Sequence, residues 1–557
     1  MTDQTTSSVA GHAASGSVGK EDFKVIAASS AGTVFEWFDF FLYGSMAVVI
    51  SKHFFAGVNE STAFILTLLA FAAGFAVRPF GALVFGALGD IWGRKKTFIF
   101  TLTLMGAATF AVGLLPTYAQ IGVASPWILV ALRMIQGLSL GGVYGGAAIY
   151  VAEHAPDDKR GLYTSWIQTT ATVGMALSLA FIFATRTVLG EETFNAWGWR
   201  VPFLMSAGLL GITMWIQLQL NESPVYLKMK ASGKTAKTPL RDAFTNWENL
   251  KIVLVALFGA VIGQAVIWYA AQFYTLFFLE RVLKVDGPVA NLLIAAGLII
   301  STPMYVFFGW LSDKIGRKTV MMAACFLAVI TYFPLFSALT SAVNPALSKA
   351  VASSPVTVYA DKSECSFQFD LLGGKIFSSS CDIPRSFLAR AGVTYDSVEA
   401  PAGTLGEMRV GDQVLPAFRG NELPAPELKA KRAEWEKQAG AMLSAAGYPL
   451  KAETDQINIP LTIFILVCIM TFAAMVYGPM AALLVELFPA RIRYTSMSLP
   501  YHMGTGWFGG FLPMTAFAIV AETGNIYSGL WYPIIFAALT FVVGLLFLPQ
   551  THKRVIH

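Results

Sequence analysis

Residues Gly86 to Thr97 read GALGDIWGRKKT, and residues Gly309 to Val320 read GWLSDKIGRKTV. In each copy a Gly leads an Asp by four positions, and Gly-Arg-Lys follows that Asp by three. The paired positions are Gly86, Asp90, Gly93, Arg94 and Lys95 in the first copy, and Gly309, Asp313, Gly316, Arg317 and Lys318 in the second. Each copy leaves one long apolar run and enters another. A basic cytoplasmic loop explains the Arg and Lys, but not the repeated Asp and Gly. A membrane chain built from two similar halves explains all of them.

Composition agrees. The 557 residues are 55% hydrophobic and only 13% charged, with mean hydropathy +0.59. Soluble domains carry about twice that share of charge, so such a chain belongs in a bilayer. The net charge of +5 reports basic loops and gives no reason to expect a nucleic-acid partner. Apolar runs near 25–50, 62–89, 97–115, 126–152, 162–186, 201–220, 252–279, 289–311, 319–340, 459–484, 496–520 and 527–548 predict twelve spans. Lys and Arg concentrate in alternate loops, among them Arg94–Lys96, Lys159–Arg160, Lys228–Arg241, Lys314–Lys318 and Arg491–Arg493. Both termini are therefore expected in the cytoplasm.

The expected organisation is a disordered cytoplasmic tail (1–22), a six-helix half (23–220), a polar cytoplasmic linker (221–250), helices seven to nine (251–340), an extracytoplasmic insertion (341–457), helices ten to twelve (458–548) and a short tail (549–557). The insertion is far too long for a turn. It mixes short alternating segments with a helical pattern at Pro426–Ala446, and so predicts a small α/β domain. Its Cys365 and Cys381 lie where a disulfide can form, or where two thiols can stay free. No metal-ligand spacing and no Walker-type phosphate loop is present, and no constellation of nucleophile, base and orienting residue points to an enzyme.

Ionisable residues at membrane depth are costly and mark function. Glu36, Asp39 and Tyr43 share one face of the first span; Arg78 lies in the second, and Arg133 and Gln136 in the fourth. A cavity lined by Asp39, Arg78 and Arg133 holds a titratable acid and cations for an anionic substrate. The same residues equally suit an internal salt bridge. Glu36, nearer the cytoplasmic end, also suits a structural role. Gln168 in the fifth span and Gln264, Trp268, Tyr269 and Gln272 in the seventh suit either a small solute or helix–helix hydrogen bonds. His502 in the eleventh span reads as a satisfied packing residue before a proton-handling one. Asp90 and Asp313 are placed to accept hydrogen bonds from neighbouring helix N-termini and to pair with the following Arg, latching the halves.

GALGDIWGRKKT and its second copy resemble the signature of the major facilitator superfamily. GTVFEWFDFFLYG (32–44), RPFGALVFGALGD (78–90), RMIQGLSLGGVYGGAAIYVAEHAP (133–156), WGWRVPFL (197–204), ESPVY (222–226) and ELFPARIRYTSMSLPYHMGTGWFGGFLP (486–513) resemble the metabolite:proton symporters within it. The likeness covers both halves but not the insertion.

It implies an all-α protein of twelve transmembrane helices in two six-helix halves. It further implies a monomer in a bacterial inner membrane, proton-coupled import by alternating access, and no cofactor beyond the coupling proton. The substrate classes implied are organic acids such as α-ketoglutarate, shikimate or citrate, and zwitterions such as proline or betaine. Asp39, Arg133 and Glu36 would serve coupling, and Arg78, Tyr43, Arg133, Gln136, Gln168, Gln264, Trp268, Tyr269 and Gln272 would serve binding. Two departures stand out. Val143 stands where the fourth-span pattern has an acid, and no long coiled coil follows span twelve, which weighs against the osmosensing permeases. A small carboxylate with a proton is the expected cargo. A zwitterionic osmolyte, or a nutrient sensor that uses the insertion, are the alternatives.

Overall fold

The computed structural model describes residues 20–56, 60–219, 221–368, 377–449 and 451–556. Most of the tail expected at 1–22 lies outside them. Among the described residues twelve long helices make the bundle: α1 Lys20–Ser45, α2 Glu60–Trp92, α3 Arg94–Leu114, α4 Ala124–His154, α5 Arg160–Leu189, α6 Arg200–Leu218, α7 Trp247–Val282, α8 Gly287–Ile315, α9 Arg317–Val343, α10 Ile459–Leu487, α11 Arg493–Thr523 and α12 Ser528–Phe547. Among the described residues, α3 to α12 and the Ala72–Trp92 part of α2 are long and apolar enough to cross a membrane. α1 carries the buried acids Glu36 and Asp39. The expected linker contains two short helices, Pro224–Ala231 and Pro239–Phe244.

Each signature loop is a sharp turn between two helices. Gly93 (φ 114°) separates α2 from α3, and Gly316 (φ 101°) separates α8 from α9. Both sit in the left-handed region, where a Cβ is strained. This is why Gly precedes Arg in each copy. The insertion leaves from the far end of α9, so the bundle has a signature face and an insertion face.

Small residues set a close helix crossing. Gly74 and Gly81 of α2 lie against Gly137, Leu138 and Gly141 of α4, and a Cβ on Gly137 would run into the Gly74 backbone carbonyl. Backbone cannot yield as a side chain does. Gly137→Val is expected to lower the thermal unfolding temperature, at a cost of about 1–3 kcal/mol or more. Gly208→Val on α6, where nothing lies within 4 Å, should leave it unchanged. Equal unfolding temperatures for the two variants would refute this crossing.

Several long helices carry irregular segments. α7 contains three wide π-type turns, Leu257–Val261, Ala270–Tyr274 and Phe278–Val282, and α11 contains another at Gly504–Gly509. Such turns are common at functional sites. They rotate Trp268, Tyr269 and Gln272 relative to a regular helix.

The insertion is an α/β domain. Its sheet runs in the order β2-β1-β3-β4, with β1 Val356–Ala360, β2 Tyr395–Glu399, β3 Glu407–Val410 and β4 Gln413–Pro416. β1 pairs parallel to β2 through the crossover helix Asp382–Ala391, and antiparallel to β3. Val356, Val358, Met408 and Val410 are buried. The rings of Phe387 and of Trp435, on helix Ala425–Ala445, meet edge-on at 5.7 Å.

Cys365 and Cys381 are joined by a disulfide. It is braced by Ser380, which donates to Glu364 at 2.6 Å, and by an Arg419–Glu364 ion pair at 2.7 Å. The domain is tied to the second half: Tyr395 N donates to Gly524 O (2.9 Å), Arg385 pairs with Glu522 (3.2 Å), Lys451 pairs with Asp286 (2.7 Å) and Asn344 donates to Leu283 O (3.0 Å).

Candidate functional site

The polar centre of the first half is Asp39. Its Oδ1 accepts from Thr109 Oγ1 of α3 (2.8 Å) and from Gln136 Nε2 of α4 (2.9 Å), while Oδ2 faces Arg133 Nη1 at 3.3 Å. The Arg133 guanidinium lies over the Tyr43 ring, 3.6 Å from its centroid, and the Tyr43 hydroxyl donates to Thr67 O. Nε and Nη2 of Arg133 are buried without a partner among the described residues. The 3.3 Å separation is longer than the roughly 2.7–2.9 Å of a tight charge-assisted bond. The pair is therefore loosely held while the Thr109 and Gln136 contacts are short. Nothing in the sequence singles out Thr109. It sits in a Thr-rich span, and its hydroxyl also makes the usual bond to the carbonyl four residues back, Met105 O at 3.0 Å.

A cavity of about 20 Å³, room for one water, is lined by Asp39, Phe40, Phe75, Arg78, Arg133 and Gln136, with three small or aliphatic neighbours. Arg78 lies over Phe75 at 4.4 Å and beside Tyr269 of the second half. Glu36 lies in the field of Arg78 and Asp39.

The seam beside Arg78 is aromatic. Trp37 meets Trp268 at 5.1 Å, Phe40 meets Phe273 at 5.5 Å, and Tyr144 stacks on Tyr501 at 3.8 Å. Gln168 donates to Tyr144 Oη (3.0 Å), Gln272 lies beside Tyr305 of α8, and Gln264 Oε1 is buried without a partner among the described residues. Val143 is fully buried in the same core. His502 is buried and neither ring nitrogen has a partner among the described residues. The expectation of a satisfied packing histidine is therefore corrected: among those residues no donor or acceptor reaches either ring nitrogen.

At the signature face two latches mirror each other. Asp90 pairs with Arg94 (2.8 Å) and accepts from Tyr494 N (3.3 Å), Thr495 N (2.9 Å) and Thr495 Oγ1 (2.7 Å), at the N-terminus of α11. Asp313 pairs with Arg317 (2.6 Å) and accepts from Gly161 N and Leu162 N, both at 2.8 Å, at the N-terminus of α5. Glu222 accepts from the backbone N–H groups of Arg94 and Lys95, each at 3.1 Å. Lys95 Nζ donates to Leu218 O and Lys318 Nζ to Leu545 O.

Two acids that the apolar runs do not single out cross the seam. Glu153 pairs with Arg493 (2.6 Å), and Glu486 pairs with Arg160 (2.9 Å) and Arg317 (3.1 Å). A signal for them exists: E-x-x-P-x-x-x-R occurs at Glu153–Arg160 and again at Glu486–Arg493. Each half's Glu binds the other half's Arg. The segment 549–556 joins them, since Thr551 donates to Glu486 (2.6 Å) and Arg160 to Arg554 O (3.2 Å).

The family model described as sugar (and other) transporter matches residues 24–254 and 437–557. The proline/betaine transporter of Salmonella typhimurium is 34% identical over 330 residues, 58% of this chain and 65% of its own length. The chain thus spans just under two thirds of that relative. The inner membrane metabolite transport protein YhjE of Escherichia coli is 36% identical over 338 residues, 58% of this chain and 74% of its own. The shikimate transporter of Escherichia coli is 33% identical over 319 residues, 56% of this chain and 71% of its own. The solved structure of the proton:xylose symporter XylE bound to 6-bromo-6-deoxy-D-glucose covers 96% of this chain and 97% of its own, at TM-score 0.59 and 16% identity, a likeness of fold. With matching signature turns, two six-helix halves and this coverage, the chain belongs to the sugar (and other) transporter family of the major facilitator superfamily.

Proposed function

We propose that the protein is a secondary transporter of a bacterial inner membrane that carries a small organic acid together with a proton, with the signature face toward the cytoplasm. The observation that carries this reading is the buried Asp39–Arg133 pair on a cavity shared with Arg78. A carboxylate at that depth is stable as a charge only while paired. A proton on Asp39 releases Arg133, whose spare N–H groups, with those of Arg78, then suit an anion. Proton and anion together leave the charge of the site unchanged, which is the electrostatic reason to move them as a pair. Binding between the halves loosens the seam. The latches at Asp90, Asp313, Glu153 and Glu486 then open, and the cargo leaves on the other side.

A zwitterionic osmolyte is the second reading. The rings of Phe75, Trp268 and Tyr269 suit an ammonium through cation–π contact, and one relative is named a proline/betaine transporter. Uptake of labelled α-ketoglutarate, shikimate, citrate, an aromatic acid, proline and betaine, with and without a protonophore, tests both. Concentrative uptake of an acid that collapses with the protonophore is the expected result. Osmolality-dependent uptake of betaine or proline favours the second reading, and no uptake of any compound removes both.

A further inference from the structure

The insertion holds the bundle at more than its points of entry. A series of contacts takes up the outer end of α7 and the turn that follows it. Gly392 (φ 68°) ends the crossover helix Asp382–Ala391 and lies on the backbone of Arg281 and Val282; a Cβ there would stand 2.8 Å from Arg281 O. The buried Asn344 Nδ2 donates to Leu283 O (3.0 Å). Lys284 Nζ donates to Arg390 O (3.0 Å), and Lys284 O accepts from Ala452 N (2.9 Å). Lys451 pairs with Asp286 at 2.7 Å, but both side chains are exposed and the pair contributes little. The same crossover helix grips α11. Its Arg385, nearly buried, donates to Glu522 O (2.6 Å) and pairs with the Glu522 carboxylate (3.2 Å), a charge-assisted contact. Gln368 N donates to Glu522 Oε2 (2.9 Å), and Tyr395 Oη to Ala521 O (3.2 Å). The Cys365–Cys381 disulfide, with bonds from Ser366 N (2.8 Å) and Gln368 Nε2 (2.7 Å) to Asp382, holds this segment on the start of the helix. One domain thus ties the outer end of α7 to the outer end of α11.

α7 has a reason to need such a tie. A π-type turn is a usual place for a helix to bend, and α7 has two of them beyond Trp268, at Ala270–Tyr274 and Phe278–Val282. Phe273, inside the first, meets Phe40 at 5.5 Å and Phe41 at 6.4 Å, both on α1. The position of the outer end of α7 therefore decides whether the two halves touch there. Lys284 is a second mark of restraint. Among the described residues it is the non-glycine residue at positive φ (60°). That conformation is costly for a lysine and persists where the surroundings over-determine it. Here its carbonyl and its ammonium are both held by the insertion. We propose that the insertion is a brace that positions the outer end of α7, keeps Phe273 against Phe40 and Phe41, and so limits how readily the outer mouth between the halves opens. Lys284, Arg385 and Gly392 are its positioning residues. The inference needs the two-half carrier fold and no particular cargo.

The test is the separation between nitroxide labels on Ser45→Cys, at the outer end of α1, and Arg281→Cys, both at exposed positions. It is read by pulsed electron paramagnetic resonance on the purified full-length protein, with no solute added. The free Cys325 and Cys468 are replaced and the disulfide is kept. Gly392→Val should push the crossover helix off α7. Arg385→Met, which keeps the length of the side chain, should loosen the helix from α11 without touching α7. Each should at least double the width of the distance distribution. Gly411→Val is the control, since its φ of 56° strains a valine too but nothing lies within 4 Å of it; it should reproduce the parent distribution. Lys284→Gly, which adopts the positive φ freely but lacks the ammonium, should broaden the distribution less than Gly392→Val. A parent-like distribution in both Gly392→Val and Arg385→Met would overturn the brace and make the insertion a passenger. Equal broadening in Gly411→Val would overturn it too, as a general loosening of the domain. Failure of every organic acid to be taken up would remove the proposed cargo and leave this result standing.

Discussion

Asp39→Asn is expected to abolish accumulation, bringing the inside-to-outside substrate ratio to about one, while exchange down a gradient continues. The amide oxygen of the substituted side chain can still accept from Thr109 and Gln136, as Asp39 Oδ1 does. Its amide nitrogen replaces Oδ2, the atom facing Arg133. The substitution therefore mimics the protonated acid and cannot cycle. Leaving a buried cation unpaired costs about 3–5 kcal/mol, partly offset by the Tyr43 ring beneath Arg133. The unfolding temperature should accordingly fall without loss of the fold. Uptake and counterflow in proteoliposomes separate the two activities. If the Asp39→Asn protein still concentrates substrate in a protonophore-sensitive way, Asp39 is not the coupling acid.

Glu486→Gln should open the signature face. One fully buried carboxylate serves Arg160 of the first half and Arg317 of the second. Without its charge the buried Arg160 keeps only the partly exposed Asp157 and Arg317 keeps only Asp313, and loss of the shared buried acid costs up to about 3–5 kcal/mol. Opening relieves that cost because it returns Arg160 to water. A shift of about 3 kcal/mol changes a two-state ratio by roughly 100-fold. In a protein whose free Cys325 and Cys468 are replaced, the labelling rate of a Ser498→Cys thiol, buried beside Gly145 on the seam, should rise tenfold to 100-fold. An unchanged rate would show that the Glu486 cluster does not hold the face shut.

The twelve spans, the duplicated turn and the α/β insertion are legible in the sequence because each leaves a mark in composition or period. So is the Asp39, Arg78 and Arg133 set, since charge inside an apolar run stands out. Thr109 is not, because a hydroxyl in a Thr-rich helix normally bonds its own backbone, and only tertiary packing brings it to Asp39. The π-type turns of α7 leave no compositional trace, as each adds a residue to a turn without changing what the residues are. The crossing of Glu153 and Glu486 is signalled by the E-x-x-P-x-x-x-R repeat, but which Arg each acid takes depends on how the halves face one another. His502 shows the converse: a residue whose sequence context suggests packing, but whose described surroundings leave both nitrogens unserved.

The insertion hangs from one half through Tyr395, Arg385, Lys451 and Asn344. A rocking cycle would swing it as a boom swings with its mast. A dye on its exposed β3–β4 turn at Asp412 should then keep its separation from a dye on α9 while its separation from a dye on α6 changes at every turnover. The same protrusion gives single-particle imaging a built-in fiducial on an otherwise featureless bundle, and it would mark which way the two halves have tilted in each particle.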